Sequence, residues 1–163
     1  MIQMVENPGA TPKQKMPKHI HVEEDKCVGC QICMFVCSKR FGDAGLAHTA
    51  IQVQAALDFE RGFLIHVCQA CIEPPCASVC PTKALTPRQG AGVIFKDALC
   101  IGCKNCVNAC TLSAIQWDKY RNKAIVCIYC GLCAQACPHG VLALKDKVSF
   151  SPIPASGNNS KEA

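Results

Sequence analysis

Sixteen cysteines, all between Cys27 and Cys137, constrain this 163-residue chain more than any other feature. They form four groups of four, and no cysteine lies outside them. Three groups have the spacing C-x2-C-x2-C-x3-C, and the second has C-x2-C-x4-C-x3-C. In chain order the groups are Cys27, Cys30, Cys33 and Cys37; Cys68, Cys71, Cys76 and Cys80; Cys100, Cys103, Cys106 and Cys110; and Cys127, Cys130, Cys133 and Cys137. The fold has to be built around these thiols.

The spacing is typical of the ligands of bacterial-type [4Fe–4S] clusters. Three closely spaced thiolates bind one cubane, and the fourth, a helical turn further on, binds a neighbouring one. Proline directly follows the last cysteine of groups two and four, at Pro81 and Pro138, as in that ligand run. The sequence therefore predicts four [4Fe–4S] clusters with all sixteen cysteines as iron ligands.

Zinc and disulfides are the alternatives for these cysteines. A structural zinc site usually joins two separated C-x2-C pairs, whereas each group here has three close cysteines and a trailing fourth. Disulfides need an oxidising compartment, and a secreted cysteine framework seldom repeats one ligand motif four times. The repetition favours iron–sulfur clusters over both.

Composition indicates a fold that depends on its cofactors. The 50% hydrophobic content includes the cysteines, and aromatic residues supply only 6%. A chain with so small an organic core is held together largely by bound metal, so we expect the apoprotein to be poorly folded.

The formal net charge of +5 leaves out the clusters. Each oxidised all-thiolate cubane carries about −2, which brings the holoprotein to about −3. With no long basic run and no basic patch interleaved with aromatics, a nucleic-acid partner is not expected. The chain has no signal-peptide stretch, no twin-arginine signal and no run of eighteen apolar residues, which predicts a cytoplasmic protein without a membrane span.

The expected fold class is α+β, with tandem ferredoxin-like halves made of short hairpins and short helices around loops that hold clusters. Alternating apolar residues on both sides of the polar DFERG turn predict a hairpin that joins 51–57 to 63–67. Two more hairpins are predicted, joining 84–86 to 93–95 around the turn PRQGAG and 114–117 to 124–126 through DKYRNK. Short strands are predicted at 20–22 and 141–144, and a short helix at 34–38. The predicted organisation is a flexible segment 1–21, a four-cluster domain 22–145 and a tail 146–163.

The four groups must pair, because each fourth cysteine serves another cluster. Nineteen residues and a predicted hairpin separate Cys80 from Cys100, which suits a compact unit of groups two and three, leaving group one to pair with group four. Sequential pairing, one with two and three with four, remains open. The nested form predicts these ligand sets: Cys27, Cys30, Cys33 and Cys137; Cys127, Cys130, Cys133 and Cys37; Cys68, Cys71, Cys76 and Cys110; and Cys100, Cys103, Cys106 and Cys80.

Over about residues 20–145 the groups, including the wider CQACIEPPCASVCP, resemble the four-cluster iron–sulfur subunits of the dimethyl sulfoxide reductase class, in which nested pairing is the arrangement. Those subunits usually carry a long insertion in the fourth group, whereas CIYCGLCAQACP is compact. The shorter form is most similar to the small polyferredoxin subunit of tungsten-dependent aldehyde oxidoreductases.

Complete ligation of every cluster predicts an electron-transfer subunit without its own catalytic site, since all sixteen thiolates are used. The resemblance implies a catalytic partner of tungstopterin or molybdopterin type and a flavoprotein that meets NAD or a ferredoxin. A wire with a cluster near each end also suggests self-association into a longer wire. The alternative hosts are a hydrogenase, a carbon monoxide dehydrogenase, or a molybdenum formate or respiratory complex. A redox sensor is a further alternative, although neither terminal segment is long enough for an output domain.

Overall fold

Short strands and short helices, separated by loops, make up the computed structural model, which describes residues 18–56 and 62–146. The elements within these residues are β1 (Lys18–Val22), α1 (Ile32–Lys39), β2 (Ile51–Ala55), β3 (Phe63–Val67), α2 (Pro75–Ser78), β4 (Leu85–Pro87), β5 (Val93–Phe95), α3 (Asn105–Ala109), β6 (Gln116–Asp118), β7 (Lys123–Ile125), α4 (Leu132–Gln135) and β8 (Leu142–Asp146). Two 3-10 turns, Glu24–Lys26 and Asp97–Leu99, precede groups one and three.

The strands form antiparallel pairs, and three of these pairs are the predicted hairpins. They are β2 with β3, β4 with β5, and β6 with β7. The predicted hairpin positions are confirmed to within two residues, although residues 57–61, which include the first four residues of the predicted DFERG turn, lie outside the described part. Alternation of apolar residues therefore located the first hairpin, and polar turn sequences located the other two.

The fourth strand pair joins the two ends of the described chain. β1 runs antiparallel to β8, with the fully buried Ile20 opposite Leu144. Strand structure begins at Lys18, inside the segment predicted to be flexible, and residues 1–17 and 147–163 lie outside the described part. Backbone hydrogen bonds to β8 stabilise residues 18–22 as a strand. The sequence of residues 1–21 alone does not indicate this partner strand.

The helices pack in the same nested order as the end strands. α1 contacts α4, and α2 contacts α3. Each of these helices has between four and eight residues and contains a cysteine that is buried. Helices this short are not stable alone, so they depend on packing.

Two apolar cores follow from these contacts. The first core combines Ile20, Met34, Ile51, Val53, Ile65, Val67, Val141 and Leu142 with Cys33 and Cys133. The second core combines Ala77, Leu85, Val93, Ile115, Ala124 and Val126 with Cys76 and Cys106. A third, smaller group consists of Ala50, Ala70, Ala91, Ile125, Cys127 and Tyr129, with Cys37 and Cys68 packed against it. Cysteines lie in every core, as expected of a fold with little organic interior.

Asp118, at the end of β6, is a charged residue with only 5% of its surface exposed. Its Oδ1 accepts hydrogen bonds from the backbone N–H groups of Tyr120 (2.9 Å) and Arg121 (3.0 Å), and lies 3.3 Å from His48 Nε2. His48 Nδ1 in turn lies 2.8 Å from Asp43 Oδ2. The Arg121 N–H above all holds the pKa of Asp118 below its usual value. This carboxylate joins the loop after α1 to the β6–β7 turn.

We predict that Asp118→Ala destabilises the holoprotein by about 1–3 kcal/mol, because it removes a buried carboxylate that accepts two backbone hydrogen bonds in the β6–β7 turn. The midpoint of anaerobic thermal unfolding, followed by far-ultraviolet circular dichroism, should fall by several degrees. The matched control is Asp97→Ala, which removes an exposed ion pair to Arg121 (3.0 Å) and should cost less than about 1 kcal/mol. Equal losses of stability in the two variants would show that the Asp118 hydrogen bonds stabilise the fold no more than the exposed ion pair of Asp97 does.

Candidate metal centres

Four clefts collect the sixteen cysteines, four in each. Each cleft takes three cysteines from one group and one from another. The sets are Cys27, Cys30, Cys33 and Cys137; Cys37, Cys127, Cys130 and Cys133; Cys68, Cys71, Cys76 and Cys110; and Cys80, Cys100, Cys103 and Cys106. We number these clefts one to four in that order. Groups one and four therefore share two clefts, and groups two and three share the other two.

The loops aim their thiols by an unusual backbone conformation. In groups one, three and four, the residues on both sides of the second cysteine have positive φ, between 58° and 80°. The pairs are Gly29 and Gln31, Gly102 and Lys104, and Tyr129 and Gly131. Left-handed residues make the chain wind tightly, so consecutive thiols can point into one cleft. In group two, with its wider spacing, Ala70 before Cys71 has positive φ.

Backbone N–H groups point at several of the sulfurs. In three groups the last cysteine accepts such a hydrogen bond: Cys37 from Ala50 (3.4 Å), Cys80 from Leu85 (3.5 Å) and Cys110 from Ala114 (3.3 Å). The N–H of Tyr129 also donates to Cys127 Sγ, at 3.4 Å. Donors to sulfur favour a negatively charged thiolate, the form that binds iron. The donor set and its surroundings therefore fit an iron–sulfur cluster in each cleft.

Burial opposes ionisation of several of these thiols. It raises the pKa of Cys33 to about 11 and the pKa values of Cys76, Cys127 and Cys133 to about 12. At Cys80, burial acts in the same direction, but hydrogen bonds from Leu85 and Thr82 outweigh it and the pKa is lowered. Because the thiolate is the ligand, metal binding must displace the protons that burial retains, so cluster assembly should release protons.

The clefts follow one another in a definite order. Cys33 of cleft one is close enough to Cys133 of cleft two to raise its pKa by charge repulsion. Cys68 of cleft three likewise raises the pKa of Cys127 of cleft two. Clefts three and four share the second core, which contains their cysteines Cys76 and Cys106. Clefts two and three therefore lie at the centre of the series.

An apolar side chain follows the first cysteine of groups one, three and four, and the second cysteine of group two. Val28, Ile72, Ile101 and Ile128 are each more than half exposed. Val28 lines cleft one and Ile101 lines cleft four. Large aliphatic side chains at these mouths limit the access of water to the sulfurs, which affects any bound cluster. The recurrence of Val or Ile at one position of the repeated motif is a signal that the sequence contains, and only the structure gives it a meaning.

Tyr129 is another residue whose position the sequence did not indicate. Only 6% of it is exposed, and its hydroxyl lies 3.1 Å from Cys68 Sγ, although the two residues are 61 positions apart. Burial raises the pKa of this hydroxyl further above its already high ordinary value. Tyr129 belongs to the third apolar group. Its hydroxyl adds a polar contact to a cysteine of a different cleft.

The described residues contain no arrangement of three or more His, Cys, Asp or Glu side chains that could hold a single metal ion. The thiols of one cleft share a cavity rather than one coordination point. A cubane meets its four thiolates at four separate irons, so it matches sulfurs spread over a cavity wall.

The comparisons with known proteins agree with this chemistry. The 4Fe-4S dicluster domain family matches residues 99–141. The putative electron transport protein YsaA of Escherichia coli is 30% identical over 152 residues, which cover 80% of this chain and 91% of YsaA. The chain belongs to this family of 4Fe-4S electron transport proteins. Near full-length coverage at this identity makes the family assignment independent of the cysteines in any one group.

Other relatives of this 4Fe-4S protein belong to larger enzymes. It is 34% identical over 125 residues to the beta subunit of the NADH-dependent phenylglyoxylate dehydrogenase of Aromatoleum evansii, covering 72% of this chain and 28% of that subunit. The B subunit of the anaerobic dimethyl sulfoxide reductase of Haemophilus influenzae is 26% identical over 159 residues, which cover 82% of this chain and 73% of that subunit. The 4Fe-4S protein thus spans little more than a quarter of the first relative. None of the described helices is long and apolar enough to cross a membrane.

Proposed function

We propose that this chain is a noncatalytic electron-transfer subunit that carries four [4Fe–4S] clusters, one in each cleft. The observation that carries the proposal is the distribution of the sixteen cysteines into four clefts of four. When bound, such a cluster accepts and releases one electron. With every cysteine used as a ligand, no iron keeps the open coordination position that catalysis at a metal needs.

The proposed ligand sets are the four cleft sets, which correspond to the nested pairing. The contacts of α1 with α4 and of α2 with α3 support it, because each helix carries the last cysteines of its group towards its partner. The pairing of β1 with β8 supports it further, since it brings groups one and four together. On this basis we propose two ferredoxin-like halves, one from the chain ends and one from its middle.

The order of the clefts supports a relay along the protein. Clefts one and four lie at the ends of the series, and each has an exposed cysteine, Cys30 and Cys103, as cleft two also has in Cys130. Val28 and Ile101 cover these end clefts with apolar surface that a docking protein could bury. The chain would hold its clusters in series and offer one end to an electron donor and the other to an acceptor.

The host is proposed to be an oxidoreductase complex, because two relatives are named as subunits of a dehydrogenase and a reductase. The catalytic partner would be a tungstopterin or molybdopterin subunit, with a tungsten-dependent aldehyde oxidoreductase as the specific proposal. The second partner would be a flavoprotein that meets NAD, a ferredoxin, or another copy of this chain. We place this assembly in the cytoplasm, where reducing conditions suit thiolate ligands.

Anaerobically purified holoprotein should contain about 16 iron atoms and about as much sulfide per chain. A reductive titration followed by electron paramagnetic resonance should account for four one-electron couples, at least some of them in the low range of ferredoxins. Zinc in place of iron would overturn the proposed function. A protein with iron for only two clusters would overturn the assignment of all four clefts.

The native complex should identify the host through its metals. Affinity purification of this subunit from its native cell under anaerobic conditions, with analysis for tungsten, molybdenum, nickel and flavin, should yield tungsten together with flavin. Nickel, or molybdenum without tungsten, would contradict the aldehyde oxidoreductase and leave the electron-transfer role in place. Recovery of the holoprotein from the cell without any redox partner would contradict the subunit role.

Replacing Cys37 should affect the cluster of group four rather than that of group one. Cys37 lines cleft two with Cys130 and Cys133, whereas Cys137 completes cleft one. We expect Cys37→Ala to change the same paramagnetic signal as Cys130→Ser, and Cys137→Ala to change the same signal as Cys30→Ser. If Cys37→Ala instead reproduced the effect of Cys30→Ser, the nested ligand sets would be wrong.

A further inference from the structure

Tyr129 occupies a position that glycine holds in the equivalent loops of groups one and three. The residue before the second cysteine is Gly29 in group one and Gly102 in group three, and both have positive φ. Tyr129 has φ of 58° at the same place in group four. A bulky side chain in the left-handed region is unfavourable and persists only where its surroundings hold it. The contacts of the tyrosine side chain therefore hold this residue at positive φ, a conformation that tyrosine does not favour.

Two hydrogen bonds fix the hydroxyl of Tyr129. It accepts the backbone N–H of Val93, at 3.4 Å, and lies 3.1 Å from Cys68 Sγ. When Cys68 is an iron-bound thiolate, its sulfur has no proton to give, so the tyrosine must be the donor. The accepted N–H polarises the hydroxyl and strengthens what it donates to sulfur.

Neighbouring residues pack closely around this side chain. Gly92 has φ of +83°, and a Cβ at that position would overlap the Tyr129 hydroxyl. The Arg88 guanidinium lies 4.2 Å from the centre of the tyrosine ring and donates to Lys18 O (3.0 Å) and Ala91 O (2.9 Å). Arg88 thus ties β1 to the β4–β5 hairpin over the ring. The hydroxyl therefore lies against Gly92, accepts the Val93 N–H and contacts Cys68.

Tyr129 also lies at the junction of the two central clefts. It stands between Cys127 and Cys130, which line cleft two, while its hydroxyl reaches Cys68 of cleft three. Cys127 and Cys68 are close enough to influence each other's charge. The side chain thus connects the two halves at the step that every electron crossing the protein would have to take.

We propose that the Tyr129 hydroxyl is a positioning group that sets the reduction potential of the cleft-three cluster through its hydrogen bond to Cys68. This inference rests on the proposed function, since it needs a cluster in cleft three. A hydrogen bond to a ligand sulfur stabilises the more negative, reduced cluster and so raises its potential. Tyr129 therefore makes the cleft-three cluster easier to reduce than it would otherwise be, and biases electron transfer across the junction.

The test is a potentiometric titration of Tyr129→Phe holoprotein, followed by electron paramagnetic resonance. The phenylalanine keeps the ring and its contact with Arg88 but cannot donate to sulfur. We expect one couple of the four to move to lower potential, with an equilibrium constant for reduction about threefold to tenfold smaller, where tenfold equals about 59 mV for one electron. The moved couple should be the one that Cys71→Ser alters, because Cys71 lines cleft three.

A spectroscopic readout separates the hydrogen bond from a packing effect. In the reduced protein, electron–nuclear double resonance in H₂O should show a proton coupled to the cleft-three cluster, and the signal of this proton should be lost on exchange into D₂O. That coupling should disappear in Tyr129→Phe. The control is Tyr120→Phe, which removes a hydroxyl from a residue that is 91% exposed, and it should change neither the potentials nor the proton coupling.

A second variant displaces the hydroxyl without removing it. Gly92→Ala places a methyl group against the Tyr129 hydroxyl, and should lower the same couple. Its matched control is Gly42→Ala, which has a similar φ of +75° but open space around the new Cβ, and should leave every couple unchanged.

The outcomes separate this inference from the proposed function. Full iron content and an altered couple in Cys71→Ser, together with unchanged potentials in Tyr129→Phe, would overturn the role of Tyr129 alone. A shift confined to the cluster that Cys130→Ser alters would also overturn it, because the tyrosine would then act on its own group. A wild-type protein without a cluster at Cys71 would overturn the proposed function first.

Discussion

The structure depends on one topological requirement: the last cysteine of each group lies in a cleft with three cysteines of another group. Cys37 shares a cleft with Cys130, and Cys80 shares one with Cys103. Since a short helix carries each last cysteine away from its own loop, two such helices must lie side by side, as α1 does with α4 and α2 with α3. The β1–β8 pair then closes the chain ends over the first core. Hairpins, helices and cores are arranged so that distant cysteines can meet.

Under the proposed ligation, this requirement also explains how so short a chain can be stable. The helices have no more than eight residues, the sheets have two strands each, and cysteines occupy positions in every core. Two-stranded sheets and helices of one or two turns are marginal in water. Cross-links from iron between distant parts of the chain would supply what apolar burial does not. The same cross-links would fix the spacing of the clefts, so stability and electron transfer would come from the same bonds.

Much of this arrangement could be predicted because its signals are local. The cysteine spacing predicted the loops, alternation at residues 51–57 and 63–67 predicted strands, and the turn sequences PRQGAG and DKYRNK predicted two further hairpins. The start of β1 was set too late because Lys18 and His19 look polar, and only β8, more than a hundred residues away, makes them a strand. Asp118 was missed for the same reason: His48 and the β6–β7 turn meet only in the folded chain. Sequence patterns report periodicity within a segment, and these contacts join separate segments.

The sequence does contain a signal at Tyr129, but that signal is visible only when the cysteine groups are compared with one another. Aligned on their cysteines, groups one and three place Gly29 and Gly102 where group four has tyrosine, and all three residues adopt positive φ. Group two also departs from glycine at this position, with Ala70 at φ of 49°, whereas group four adds a long side chain whose hydroxyl reaches Cys68. Cys68 could not be identified as the contact from sequence, since the two residues meet only once the halves pack against each other. A repeat that differs at one strained position is therefore evidence for a task specific to that copy, and here the difference falls at the junction between the halves.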